Sequence, residues 1–123
     1  MKKAEFSGGM NIAIKIPGDR FYQTVKFYRD VLGFKLEKEE GQAVAASYSM
    51  AFGPVTLWLD SVPDSDQSDI WLEVLTDDLK AAEKHVREKG VVFQDDLEVF
   101  PEGMEAHWIK SPAGTVHLLR GQS

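Results

Sequence analysis

The stretch Asn11–Phe34, NIAIKIPGDRFYQTVKFYRDVLGF, changes its apolar period once, and this change decides the fold. Its first six residues alternate, with three isoleucines on one face and Asn11, Ala13 and Lys15 on the other. Such alternation predicts a strand with one buried face. Pro17-Gly18 ends the strand, because proline has no N–H for the ladder and glycine permits the turn.

A helix follows the turn, because the apolar spacing changes to three and four residues. We expect Asp19 to be its N-cap and Gly33 to end it in a left-handed conformation. The apolar stripe consists of Phe21, Val25, Tyr28 and Leu32. Short alternating or β-rich runs then predict three strands, at Lys35–Glu40, Ala43–Phe52 and Val55–Leu59, with a turn at Gly41-Gln42.

The same plan returns in the second half of the chain. Ile70–Leu75 predicts a strand, Asp77 or Asp78 caps a helix that runs to about Lys89, and Gly90 ends it. Three more strands are predicted at Val91–Phe93, Met104–Lys110 and Thr115–Arg120. We therefore predict one domain over residues 10–121, made of module 10–60, a polar linker 61–69 and module 70–121, after a flexible tail 1–9.

Composition narrows the possible partners. The chain has 123 residues, a net charge of −6 and no cysteine. Nucleic acids and anionic membranes require a basic footprint, so neither is expected as a partner. The missing cysteines exclude disulfides, thiol catalysis and zinc–thiolate sites. No long apolar run follows Lys2 and Lys3, so we expect neither a signal peptide nor a membrane span, and a cytoplasmic location.

Four segments carry a resemblance to a known family: IAIKIP, KFYRDVLGF, TDDLKAAEKHVREKG and WIKSPAGTVHLL. Together they resemble the vicinal oxygen chelate superfamily, which includes glyoxalase I, bleomycin-resistance proteins and extradiol dioxygenases. The resemblance covers about residues 10–121 and implies an α+β fold. In this fold, paired βαβββ modules form curved mixed sheets around a cleft, with the helices outside. It also implies a homodimer.

The resemblance further implies where a metal would bind. Metal-dependent relatives place two ligands from each module in the cleft, and those positions correspond to Asn11, Trp58, Trp71 and His117 here. His117 is the only plausible metal ligand among them, because indole N–H cannot coordinate and Asn suits zinc, nickel or iron poorly. A catalytic metal needs about three protein ligands. We therefore expect no metal, no other cofactor and no catalytic residue of the metal-dependent type.

Aromatic and charged side chains replace the metal ligands in this interpretation. Trp58 and Trp71 alternate with aliphatic residues, so they are predicted on the face opposite the core, although a single tryptophan is more often a core residue. The resemblance turns Trp108 into the same groove; Ile109 with His107 is the alternative inward pair. Polar groups for ligand contact are Asn11, Lys15, Glu73 and His117. Lys15 has an equal alternative as an edge lysine that reaches solvent, and His117 has one as a structural histidine.

These residues favour a metal-independent binding protein of the bleomycin-resistance type. Tryptophan faces stack on flat aromatic ligands and attract cations, so the expected partner is a small aromatic or amphipathic molecule. The alternative is a metal-dependent glyoxalase-like lyase or isomerase with an atypical metal site. A third possibility is an accessory domain that has lost its ligand and serves only in dimer contacts.

Overall fold

A computed structural model describes residues 3–41 and 44–122 as a mixed α+β fold. The strands in these ranges are β1 (Phe6–Pro17), β2 (Glu37–Glu39), β3 (Ala46–Phe52), β4 (Val55–Val62), β5 (Asp69–Thr76), β6 (Ala106–Lys110) and β7 (Val116–Gly121). The α-helices are α1 (Phe21–Lys26) and α2 (Leu79–Glu88). The strands are hydrogen-bonded in the order β2-β3-β4-β1-β5-β7-β6, with β1 parallel to β4 and β5 parallel to β7. The predicted α+β class with a mixed sheet is confirmed.

The described residues form two compact units. The first unit is Met10–Trp71, and the second unit combines the residues before Met10 with those from Leu72 onward. In the first unit, Phe21 and Val25 of α1 pack against one face of the sheet. The core residues of this unit are Ile16, Phe21, Val25, Met50, Leu57 and Leu59. One sheet face of the first unit is thus used for the core, which leaves the opposite face for polar and aromatic side chains.

The beginning and end of α1 differ in how well the sequence predicts them. A 3₁₀ turn, Gly18–Arg20, precedes the helix, so Arg20 is the N-cap and no side chain caps the helix. The predicted Asp19 cap is wrong because Asp19 lies inside that turn. A π-helical turn, Phe27–Val31, follows α1, and Gly33 with φ +81° ends the segment, as predicted.

The helix of the second unit agrees with its sequence pattern. Asp78 is the N-cap of α2, and its carboxylate accepts a hydrogen bond from the Ala81 N–H at 3.0 Å. Ala82 and Val86 are buried, and Gly90 with φ +88° ends the segment. These observations confirm the predicted cap and the predicted stop, because each depends on neighbouring residues only.

The strand predicted at Val91–Phe93 is absent. The Gln94 N–H donates to the Trp108 carbonyl at 2.7 Å, but the Trp108 N–H then donates to the Asp95 carboxylate at 2.9 Å. A side chain therefore takes the place of the next backbone acceptor, and the ladder does not continue. The described part of this module therefore has three strands, β5, β6 and β7, where four were predicted.

The predicted tail 1–9 is partly strand. β1 begins at Phe6, and Glu5 is tied to Asp77, whose carboxylate accepts the Glu5 N–H at 2.9 Å. β1 thus includes Gly8 and Gly9 despite the low strand preference of glycine. Residues 1–2 of the tail, and Gln42 and Ala43 of the predicted turn and strand, lie outside the described residues.

The connection after the first module is shorter than the predicted linker 61–69, since β4 extends to Val62 and β5 begins at Asp69. Within residues 3–41 and 44–122, no helix is long and apolar enough to cross a membrane.

Candidate functional site

The sheet face of the first unit that lies opposite α1 carries most of the predicted site. Leu57 and Leu59 belong to the core, so the alternating residues Trp58 and Asp60 of β4 point to the other face. The strand register adds neighbours to this surface, which we call the helix-distal face. Its residues are Asn11, Lys15, Ser47, Ser49, Trp58 and Asp60. The predicted alternation of Trp58 against the aliphatic core is therefore confirmed.

Trp58 is held by Asn11. The indole N–H donates to the Asn11 side-chain oxygen at 2.8 Å, and both residues are half-buried. This hydrogen bond joins β4 to β1. Trp58 of β4 pairs with Ala13 of β1, and Asn11 lies two residues before Ala13 on the same face. A buried or half-buried indole N–H usually finds such a partner, which fixes the plane of the ring. Asn11 thus orients Trp58 at the partly exposed surface of this face.

Lys15 and Asp60 form a buried ion pair on the same face. The Lys15 Nζ lies 2.7 Å from the Asp60 Oδ2, and the two side chains are only 5% and 10% exposed. The Ser47 hydroxyl donates to the other carboxylate oxygen, Oδ1, at 2.7 Å. The alternative in which Lys15 reaches solvent is wrong, because its ammonium is neutralised inside the protein.

The Lys15 ammonium also lies over an aromatic ring. Its Nζ is 4.3 Å from the centroid of Trp71, which is within the range of cation–π attraction. The Trp71 indole N–H points towards the exposed Asp69 carboxylate, with a nitrogen–oxygen distance of 3.3 Å. Trp71 is half-buried, so the first unit has two partly exposed indoles whose orientations are set by polar neighbours.

Three residues of this face are absent from the sequence prediction. Asp60 and Ser47 form the network around Lys15, and the Ser49 hydroxyl donates to the Glu39 carboxylate at 2.6 Å. Asp60 follows Trp58 by two positions, so strand alternation already places it on the same face. The two serines have no such signal, because their side chains resemble those of any exposed strand.

In the second unit, Glu73 and Trp108 are satisfied by their own surroundings. The Arg120 guanidinium donates to the Glu73 carboxylate at 2.8 Å, and Glu73 is buried. The Trp108 indole N–H donates to the Glu98 carbonyl at 2.8 Å. Phe100 stacks on the Trp108 ring with 5.1 Å between centroids and 15° between planes. One face of this buried ring is thus covered within the unit.

His117 lies on the other face of the second unit's sheet. Trp108 pairs with Leu118, whereas His117 pairs with Ile109. The prediction that Trp108 and His117 line one groove is therefore wrong, since neighbouring strand residues point to opposite faces. The His117 Nδ1 is 2.9 Å from the Thr115 carbonyl oxygen, which can only accept, so this nitrogen carries the proton. This bond is typical of a structural histidine.

The donor set of the described residues does not fit a catalytic metal. Within residues 3–41 and 44–122, no group of three or more His, Asp or Glu side chains is arranged to hold an ion. Two of the expected ligand positions are occupied by Asn11 and Trp58, which bond to each other. A Lys15 ammonium beside Asp60 further opposes a divalent cation at that carboxylate. We therefore derive no chemical step through a metal.

Residues 13–116 match the Glyoxalase/Bleomycin resistance protein/Dioxygenase superfamily, and the chain belongs to this superfamily. This assignment confirms the resemblance drawn from the sequence segments. A search of curated proteins finds no match.

Solved structures of several activities share the fold. A hypothetical protein from Bacillus halodurans C-125 is 16% identical over 99% of this chain and 96% of its own, with a TM-score of 0.66. Methylmalonyl-CoA epimerase from Mycobacterium tuberculosis is 18% identical over 94% of this chain and 88% of its own, with a TM-score of 0.61. The Mn(II)-bound glyoxalase from Novosphingobium aromaticivorans is 16% identical over 96% of this chain and 40% of its own, with a TM-score of 0.64. At these identities the similarity supports the fold only, so the function has to be argued from the residues of the site.

Proposed function

We propose that the protein binds a small aromatic or amphipathic molecule on the helix-distal face, without a metal ion. The observation that carries this proposal is the half-buried Trp58 ring, oriented by the hydrogen bond from its indole N–H to Asn11. An indole fixed in this way loses little conformational freedom when a flat ligand stacks on it. Trp71 supplies a second ring in the same unit.

The charges on this face support an aromatic ligand. Lys15 and Asp60 neutralise each other, so neither is a free counter-charge for a strongly ionic ligand. Ligand sites are mostly apolar and aromatic, with few polar groups that set orientation, and this description fits Trp58, Trp71 and Asn11. Contact of Glu73, Trp108 and His117 with a ligand stays a prediction and is no part of the proposed site.

The competing function is a glyoxalase-like lyase or isomerase with an atypical metal site. Among the similar structures, one is an epimerase and another is a Mn(II)-bound glyoxalase, so the fold is compatible with catalysis. The described part of this chain offers no suitable donor set, which favours binding over metal-dependent chemistry. A homodimer and a cytoplasmic location also remain proposals, and sedimentation analysis tests the first of them.

Calorimetric titration with a panel of planar aromatic compounds tests the binding function. The panel includes neutral, anionic and cationic rings of matched size. We expect saturable binding of at least one class, weakened about fivefold in Trp58→Leu, because a stacked ring pair contributes about 1 kcal/mol. The matched control is Trp108→Phe, which keeps a ring beneath Phe100 and is expected to bind normally.

Metal loading separates the two functions. The protein is purified without chelator, and its metal content is measured before and after the separate addition of zinc, nickel, iron and manganese. Binding of the panel compounds without stoichiometric metal supports the proposal. One tightly held ion per chain that His117→Ala releases, together with no binding to the metal-free protein, would overturn it.

A further inference from the structure

Lys15 is the least exposed charged residue of the helix-distal face, and its position calls for a role other than contact with solvent or ligand. Its side chain is 5% exposed and its Nζ lies 2.7 Å from the Asp60 carboxylate. A lysine ammonium is strongly hydrated, so burying it costs free energy that its partners must offset. The protein keeps this arrangement within a proposed ligand site, which indicates that the ammonium has a use there.

We propose that Lys15, held by Asp60 and Ser47, positions the Trp71 ring and closes one of its two faces. A ligand then stacks on Trp71 from one side only. This inference rests on the proposed binding function and deepens it, because it makes Lys15 a positioning residue where the sequence predicted a direct contact with the ligand.

The hydrogen-bond chain fixes the ammonium before it meets the ring. Ser47 is 1% exposed, and its hydroxyl donates to one oxygen of Asp60 while Lys15 donates to the other. The carboxylate is therefore held from both sides, and the Lys15 side chain ends at a defined point. Fixing a long lysine side chain costs rotamer entropy, and the buried hydrogen bonds offset this cost. They therefore hold the ammonium in one position.

The ring lies within direct reach of this fixed charge. The 4.3 Å distance from Nζ to the Trp71 centroid places the ammonium over the ring face, where the quadrupole attracts a cation. The indole N–H is oriented separately, towards Asp69. The two contacts act on different parts of the ring: Asp69 on its polar edge and Lys15 on one face. Together they restrict both the tilt and the rotation of Trp71.

Trp58 provides an internal control, because Asn11 holds it by a different contact. The test therefore uses two proteins with one tryptophan each. One keeps Trp71 in a W58F/W108F background, and the other keeps Trp58 in a W71F/W108F background. The motion of each ring is measured by time-resolved fluorescence anisotropy in the absence of any ligand, on the nanosecond timescale of side-chain motion.

Lys15→Met combined with Asp60→Asn removes the charge pair without leaving an unpaired buried charge. In this double variant, we expect the population of displaced Trp71 rings to rise about tenfold, which is the effect of losing a partly desolvated cation–π contact. The fast anisotropy decay of Trp71 should grow accordingly, while that of Trp58 should not change. Asn11→Ala should have the reverse pattern, with Trp58 loosened and Trp71 unaffected.

Lys15→Arg keeps a cation that can lie over the ring, so it should restore the slow decay of Trp71. If the double variant does not fold, Lys15→Gln combined with Asp60→Asn keeps two neutral polar side chains at these positions and provides the same comparison. An unchanged Trp71 decay, or an equal loosening of both rings, would overturn the positioning role. Because these measurements contain no ligand, a failure of the calorimetric panel would refute the binding function while leaving the result for Trp71 intact.

Discussion

Trp58 and Trp108 occupy comparable places in the two units, but only Trp58 is partly exposed. Each lies on the sheet face opposite the helix of its own unit, and each has a satisfied indole N–H. Trp58 donates to the side chain of Asn11, whereas Trp108 donates to the backbone carbonyl of Glu98 and lies beneath Phe100. The first unit thus presents its ring, while the second unit covers its ring with the segment after α2.

This difference shows that alternation predicts the face of a residue but not its availability to a ligand. The strand pattern assigns Trp58 to the face opposite the core, and the family resemblance assigns Trp108 to the corresponding face of its own unit. Availability depends on which segment lies over the ring, and that segment is irregular in the second unit. The two units also differ in their ion pairs. The first unit buries both Lys15 and Asp60, whereas the second unit buries Glu73 and leaves Arg120 partly exposed.

The ion pairs give the largest expected difference between the units. Asp60→Asn removes the charge of the carboxylate that neutralises a 5%-exposed lysine, whereas Glu73→Gln affects Arg120, which is 29% exposed and reachable by water. We expect a loss of about 3 kcal/mol of unfolding free energy for Asp60→Asn and about 1 kcal/mol for Glu73→Gln. Urea denaturation of the two variants measures both values. Equal losses would mean that burial of the base does not distinguish the pairs.

The close approach of the Gly9 backbone to the Glu73 side chain gives the second largest expected effect on stability. A Cβ atom added at Gly9 would lie 2.7 Å or less from three atoms of the Glu73 side chain, whereas one added at Gly8 would meet no atom within 4 Å. Gly9→Ala should therefore destabilise the protein by about 2 kcal/mol through overpacking, while Gly8→Ala should change stability by less than about 0.5 kcal/mol. Thermal and urea unfolding of this matched pair measures the difference. Similar values would show that the Glu73 side chain moves aside freely.

Local signals in the sequence predict much of this fold. Asp78 and Gly90 bound α2 as expected, and the three isoleucines of β1 face the core side as their alternation requires. These features depend on neighbouring residues and on a fixed period, so a single sequence contains them. The same reasoning places Trp58 and Lys15 opposite the core, so the sequence predicts one partner of the ion pair, while Asp60 is missing from the prediction.

Features that depend on pairing between distant segments could not be predicted in this way. The position of His117 relative to Trp108 requires the register of β6 against β7, and an error of one residue moves a side chain to the opposite face. The absence of the strand predicted at Val91–Phe93 depends on the Asp95 side chain. Its carboxylate accepts a hydrogen bond from the backbone N–H of Trp108, which lies 13 positions later in the sequence. Ser47 joins the Lys15 network only through its pairing with Asp60.

The hydrogen bond that orients Trp58 gives a smaller effect on stability. Asn11→Ala removes one partner of a half-buried bond and should lower the unfolding free energy by about 1 kcal/mol. Acrylamide quenching should increase for Trp58 and remain the same for Trp108, measured in proteins that retain one tryptophan each. An unchanged Trp58 would show that strand packing alone orients the ring, and would remove the contrast between the two tryptophans.

The exposed pair Arg29–Asp30 is expected to contribute least to stability among the three ion pairs. The Arg29 guanidinium donates to the Asp30 carboxylate at 2.9 Å, and this hydrogen bond lowers the pKa of Asp30 below its ordinary value. A lowered folded-state pKa contributes stability above the unfolded-state pKa, and that stability is lost as the pH falls through the folded-state value. The two residues are adjacent in sequence, however, so the unfolded chain forms the same contact, and water screens it in both states.

Asp30→Asn should therefore unfold at the same urea concentration as the wild type at neutral pH and at pH values below the ordinary range of an aspartate. A clear loss at neutral pH that disappears in acid would show that folding itself strengthens this pair, and that exposure is a poor guide to the ranking of the three ion pairs.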